Sequence, residues 1–192
     1  MKRNSVQQLT ISALLIALGV LIPLVMPRIV IGPASFTLAS HVPLFVAMFF
    51  SPRMAVIVAL GTTFGFLLTA PFIIALRALS HLVFALLGAW YLQKRPQIVY
   101  QPKKFQLYNF AIAIIHAAIE TFVVAAFLLG GSSQVHYEGS LFVLLFGFIG
   151  IGGVIHSLID YNIAFFVVKT LSKVYAVPVF KKAKTIAFPK VK

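Results

Sequence analysis

The chain has no cysteine and only three acidic residues, Glu120, Glu138 and Asp160, in 192 positions. The first absence removes disulfide frameworks, thiolate metal sites and cysteine nucleophiles. The second leaves 16 Lys and Arg nearly unopposed, for a formal charge of +13, yet charged residues are only 10% of the chain. A soluble domain carries about 25%, so a soluble protein of this length is not expected. A basic soluble protein would suggest nucleic acid. Here the basic residues avoid the apolar blocks and gather at their ends, so membrane topology explains them and no nucleic-acid partner is expected. Also missing are H-E-x-x-H, G-x-S-x-G and a P-loop. Without them no catalytic constellation or ATP site is visible, and the chain is not expected to be an enzyme.

What the chain has is apolar length. It is 61% hydrophobic and 14% aromatic, with a mean hydropathy of +1.03. Six apolar blocks emerge, roughly 9–26, 38–50, 53–69, 71–93, 106–129 and 141–172, separated by Pro-, Gly- or Lys-rich breaks. A helix needs about 20 residues to cross the hydrocarbon. Blocks one, four, five and six reach that length, whereas two and three are short and form either two tilted spans or a re-entrant hairpin. Met1-Lys2-Arg3 before the first block imitates a signal peptide, but no A-x-A-like site follows closely, so an uncleaved first helix is expected.

With the N-terminus inside and six crossings, the inner side receives Lys2, Arg3, Arg53, Lys94, Arg95, Lys103, Lys104 and the seven lysines from Lys169 to Lys192. Only Arg28 falls outside, and only Arg77 within a helix, as the positive-inside tendency demands. A re-entrant hairpin would strand Arg53 in lipid, which favours six spans. The expected architecture is therefore an all-α bundle of six transmembrane helices with both termini cytoplasmic. Residues 1–172 form the transmembrane domain and 173–192 a basic cytoplasmic tail on anionic lipid headgroups. The outer segment 27–40, with β-branched residues and Gly-Pro, is expected to make a short extended lid. The outer segment 130–140 reads as polar and flexible.

Three ionisable pairs at four-residue spacing lie inside these blocks: Arg77/His81, His116/Glu120 and His156/Asp160. Each pair shares one helix face. A charge at the bilayer centre costs from ~3 kcal/mol on insertion scales to ~10 kcal/mol or more in simulations, so such residues face a bundle interior or cavity. Arg77 suits an anion, since guanidinium meets a carboxylate with two parallel hydrogen bonds. Equally, it can form a buried pair with Glu120 that fixes helices four and five, and both roles can hold together. The histidines can serve as interhelical hydrogen bonds. His81, His116 and His156 could also hold a metal or haem, but the carboxylates or cysteines that usually accompany such ligands are missing, so no metal is expected. Asp160 is expected to act as helix glue or as a contact near the inner surface, outside the pocket, and His41 to be interfacial. Ala13-x-x-x-Ala17 and Gly61-x-x-x-Gly65 are small-residue stripes that let helices approach closely in lipid. The glycines of the sixth block, Gly147, Gly150, Gly152 and Gly153, allow close packing or a kink.

Taken together, Ala13-x-x-x-Ala17, the lid, Pro33-Ala-Ser-Phe-Thr-Leu-Ala-Ser-His41, Gly61-Thr-Thr-Phe-Gly65 and Arg77-Ala-Leu-Ser-His81 resemble the substrate-binding S components of energy-coupling factor (ECF) vitamin transporters. The resemblance spans nearly the whole chain except the basic tail, and is greatest to the niacin-specific members. It implies a high-affinity capture subunit in a bacterial plasma membrane, with no cofactor of its own, partnered by a transmembrane scaffold and two ATPases. Ala13 and Ala17 would then dock on the scaffold. The vitamin would lie near the outer surface, under the first loop and between helices four, five and six, where Arg77, His81, His116, Glu120 and His156 fall. Arg77 would take the carboxylate of nicotinate and His81 or His116 the pyridine nitrogen, with Phe36 and Thr37 of the lid beside the ring. Pantothenate is the nearest alternative ligand. A proton-coupled secondary carrier using the His and carboxylate pairs as a relay and an intramembrane enzyme or haem protein are the competing classes, although the chain has too few helices for the usual paired-repeat carrier.

Overall fold

A computed structural model describes residues 2–31, 34–130 and 139–187. Most of the outer segment 130–140, including Glu138, lies outside the described residues. So do Gly32-Pro33 of the lid and the last five residues of the basic tail.

The chain opens with α1 (Lys2–Val25), followed by an antiparallel hairpin of β1 (Arg28–Ile31) and β2 (Ala34–Thr37). The hairpin pairs Arg28 with Thr37 and Ile29 with Phe36, so the extended lid expected from β-branched residues is present. Then come α2 (Val42–Phe50), α3 (Pro52–Thr69) and α4 (Phe72–Lys94). A 3-10 turn (Pro96–Tyr100) leads into α5 (Pro102–Leu129). A π-helical stretch (Val143–Gly152) runs directly into α6 (Gly153–Leu171), and α7 (Pro178–Ala187) closes the described chain.

Local chemistry sets the breaks. Ser51 caps α3, its hydroxyl accepting from Met54 N at 3.0 Å, with Pro52 in the first helical turn, where its missing N–H costs nothing. Pro71 and Pro102 stand immediately before or at the starts of α4 and α5 for the same reason. In the π-helical stretch, the wider turn coincides with the glycines of the sixth block. There Gly152 admits Phe36 of β2, whose Cζ lies 3.1 Å from where a Cβ would stand.

Five helices among the described residues are long and apolar enough to cross a membrane: α1, α3, α4, α5 and the continuous rod from Val143 to Leu171. Block two differs. It yields a helix of nine residues, about 14 Å at 1.5 Å per residue, too short to cross by itself. Every residue from Pro43 to Phe50 is buried, as suits a helix that is apolar all round and surrounded by others. It packs on α1, α3, α4 and α6. Below the pocket, Phe45 stacks on Tyr161 at 4.2 Å and Phe105 on Phe165 at 4.0 Å, and the Tyr108 and Tyr161 hydroxyls meet at 2.8 Å.

Close approach of α1 and α3 uses three glycines. A Cβ at Gly61 would collide with Ile16, one at Gly65 with Val20, and one at Gly19 with Thr62. By contrast, Ala13 and Ala17 point away from the bundle and are exposed, so they take no part in its internal packing. At the opposite end from the lid, α7 lays Val179, Phe180 and Ala183 against the body and leaves Lys181, Lys182 and Lys184 exposed. Lys182 Nζ donates to Gln93 O at 2.7 Å.

Candidate functional site

Beneath the hairpin lies a half-open pocket enclosing about 640 Å³ of atom-free space, solvent at its mouth included. Its polar wall is Ser35, Thr37, Ser40, His41, Thr62, Arg77, His81 and Glu120; Pro23, Leu44, Phe66, Ile74 and Ala78 are among its apolar wall. The floor is where α2 begins, which is why a short second helix matters. Starting the helix halfway down leaves room above it for the turn 38–41 and a cavity.

Arg77 and Glu120 meet across α4 and α5, Arg77 Nε donating to Glu120 Oε1. The other end of the guanidinium faces Ser35 of β2, 3.4 Å from both its hydroxyl and its carbonyl oxygen. The Arg77 side chain is 11% exposed and that of Glu120 6%. Both sequence-derived roles of Arg77 are thus compatible: it is paired with Glu120 and it stands on the pocket wall. Glu120 Oε2 also lies 3.0 Å from His116 Nε2, close enough for an ion pair but off the line of a hydrogen bond.

The second cluster hangs on Asp160. This fully buried carboxylate accepts from Ala39 N at 2.8 Å and His41 N at 2.9 Å, and stands 3.2 Å from His41 Nδ1. It therefore satisfies the partly buried N–H donors of a turn in which Ala39 takes a left-handed φ of 67°, a conformation unfavourable for a side chain with a Cβ. It does not itself line the pocket, and it ties the turn 38–41 to α6 rather than lying near the inner surface. His156 Nε2 lies 3.1 Å from both Ser40 Oγ and His41 Nδ1.

Of the sequence-derived site residues, Arg77, His81, Glu120 and Thr37 line the pocket. His116 and His156 stand one layer behind it, reached through His41, whose ring is 4.7 Å and 4.9 Å from theirs. Phe36 is also set back, edge-on to His156 at 5.7 Å. The pocket wall comes from α1, β2, α3 and α4 with Glu120 of α5, and α6 contributes through the second layer only. His41 is the residue that sequence reasoning misplaced. It is expected at the interface but sits at the hub of four histidines. Its position just ahead of a helix fixed in the core was the missing signal, since block two looked like a span.

This is a multi-pass α-helical membrane protein whose ionisable residues converge on a pocket rather than on lipid. In sequence it is similar to the niacin transporter NiaX of Lactococcus lactis subsp. cremoris (strain MG1363), with 48% identity over 187 residues covering 96% of this chain and 83% of the relative. No family model and no solved structure matches. At that identity and coverage the chain belongs to the family of this niacin transporter, in keeping with its resemblance to the niacin-specific members. The relative is a transporter, and this chain too is a transport protein and not an enzyme.

Proposed function

We propose that this chain is the substrate-capture subunit of an ATP-driven ECF-type importer in a bacterial plasma membrane, taking nicotinate into the pocket beneath the hairpin. The observation that carries the reading is Arg77, a guanidinium on the pocket wall oriented by Glu120 and Ser35. A carboxylated guest completes its shell with charge-assisted bonds. His81, whose buried Nε2 has no partner among the described residues, offers itself to the pyridine nitrogen, with His116 and His156 supporting from behind. Thr37 closes the site from the hairpin, with Phe36 set behind it against Gly152 and His156.

In this reading both termini are cytoplasmic, residues 1–172 cross the bilayer six times, and the second crossing is made by the turn and α2 together. The segment 173–192 lies at the cytoplasmic face with its lysines toward anionic headgroups. The outward-facing Ala13 and Ala17 offer a smooth stripe for a transmembrane scaffold subunit, which couples capture to two ATPase subunits. Calorimetry of the detergent-purified chain with nicotinate, nicotinamide and pantothenate tests the ligand. Saturable binding of nicotinate with much weaker nicotinamide binding supports the reading; pantothenate preference, or no binding of any, overturns it.

The histidine rings clustered between Glu120 and Asp160 favour a second reading, a proton-coupled carrier. Proteoliposomes holding this chain alone decide between them: nicotinate uptake driven by a pH gradient selects the carrier.

A further inference from the structure

The ring of His41 lies 4.8 Å from that of His81 and 4.7 Å from that of His116, and the latter two are 4.8 Å apart. One nitrogen from each lies within 4.8 Å of the other two. The three come from the turn before α2, from α4 and from α5, so tertiary packing alone unites them. His116 is 1% exposed, and neither its Nδ1 nor the buried Nε2 of His81 has a hydrogen-bond partner among the described residues. Buried polar atoms are rarely left so, and two in one cluster call for a shared ligand.

We propose that His41, His81 and His116 form a three-imidazole site for a divalent transition cation of the zinc class, with its remaining coordination position open to the pocket, where the cation, in place of His81 Nε2, meets the pyridine nitrogen.

Imidazole suits Zn²⁺, Co²⁺, Ni²⁺ and Cu²⁺. Zn–N lengths of ~2.0–2.1 Å place tetrahedral ligand nitrogens roughly 3.4 Å apart, so the rings draw together by at most about 1.4 Å. Carboxylates that could serve as outer partners stand close by. Asp160 stands behind His41 Nδ1 and Glu120 behind His116 Nε2, leaving His41 Nε2 and His116 Nδ1 to ligate. A carboxylate behind a ligating imidazole fixes its tautomer and orientation.

Charge points the same way. Glu120 and Asp160 outweigh Arg77, so this interior carries a net negative charge before any guest arrives. A dication together with a singly charged anion brings the sum to zero, which a poorly solvated site requires. That charge argument rests on the nicotinate reading above, whereas the ring geometry does not.

The test is titration of the untagged, chelator-treated full chain in detergent with Co²⁺, without vitamin. One equivalent should bind and give a visible d–d band. His81→Gln and His116→Gln should each weaken binding more than ~100-fold, beyond the ~10–100-fold typical of losing an outer partner, the range expected for Asp160→Asn. His156→Gln should change little. Absence of stoichiometric binding by the unaltered chain overturns the proposal, as does binding that survives both His81→Gln and His116→Gln. Should a variant lose its helical circular dichroism, Cu²⁺ paramagnetic resonance on the unaltered chain decides. Three nitrogen ligands support the site and fewer overturn it. Failure to bind nicotinate with the Co²⁺ band intact would strike the vitamin reading and leave this one standing.

Discussion

Asp160 on α6 holds His41 both at its backbone N–H, 2.9 Å away, and at its ring Nδ1, 3.2 Å away, across 119 positions of sequence. The same carboxylate takes Ala39 N, so one side chain ties the turn that roofs α2 to the far wall of the bundle. Asp160→Ala removes the acceptor of two partly buried N–H groups, each worth about 1–3 kcal/mol when orphaned. Thermal unfolding in detergent should show a lowered midpoint, and nicotinate binding should weaken because Ser40 and His41 lose their position. Asp160→Asn, which keeps one acceptor oxygen, should fall between. Unchanged stability in both variants would mean the turn is held by its own packing.

Arg77 and Glu120 separate stability from recognition. Removing either alone leaves a buried charge without its partner, at a cost of about 3–5 kcal/mol. Arg77→Met combined with Glu120→Gln should recover most of that stability. Nicotinate affinity should stay lost in the double variant by ~1.5–3 kcal/mol, the worth of a hydrogen bond to a charged group, while any nicotinamide binding should hardly change. Calorimetry beside thermal unfolding reads both quantities. Recovery of nicotinate affinity would show that the guanidinium serves the helix pair alone.

Ala13 and Ala17 face outward, so bulk there meets no residue of this chain. Ala13→Leu and Ala17→Leu should leave binding and unfolding temperature unchanged in detergent. Vitamin uptake by cells supplying the scaffold and ATPases should fall to background. Loss of binding in the isolated chain would count against a docking role.

Gly61 is enclosed by Ile16, whose Cδ1, Cγ1 and Cγ2 all crowd the place of a Cβ. Gly61→Val should therefore force α1 from α3 and destabilise by about 1–3 kcal/mol, the usual cost of overpacking. Because Gly19 and Thr62 of the same seam line the pocket, affinity should fall with stability. The readout is the unfolding midpoint against that of Ala17→Leu, which adds similar bulk on the exposed face of α1.

Membrane residence, four of the five long helices, the extended lid and the ionisable pairs were all legible in the sequence, whereas block three, expected to be short, reaches span length as α3. Each depends on local composition or on a four-residue spacing that any helix turns into a shared face. Block two was not legible as a short helix enclosed on all sides by others, because an apolar run reads alike whether lipid or protein surrounds it. His41 was misplaced for the same reason: nothing local marks a residue at the head of such a helix as central. The set-back positions of His116, His156 and Phe36 depend on which way neighbouring helices rotate, and no periodicity within one helix reports that.

The sequence by itself determined that these helices live in a bilayer and that their charged side chains must turn inward, since hydrocarbon solvates neither exposed backbone nor ions. Only the tertiary structure decided which side chains meet. The Arg77–Glu120 pair, the Asp160 tether and the histidine hub join residues from 40 to 121 positions apart, and distances of that kind are set by helix packing, not by any neighbour in the chain.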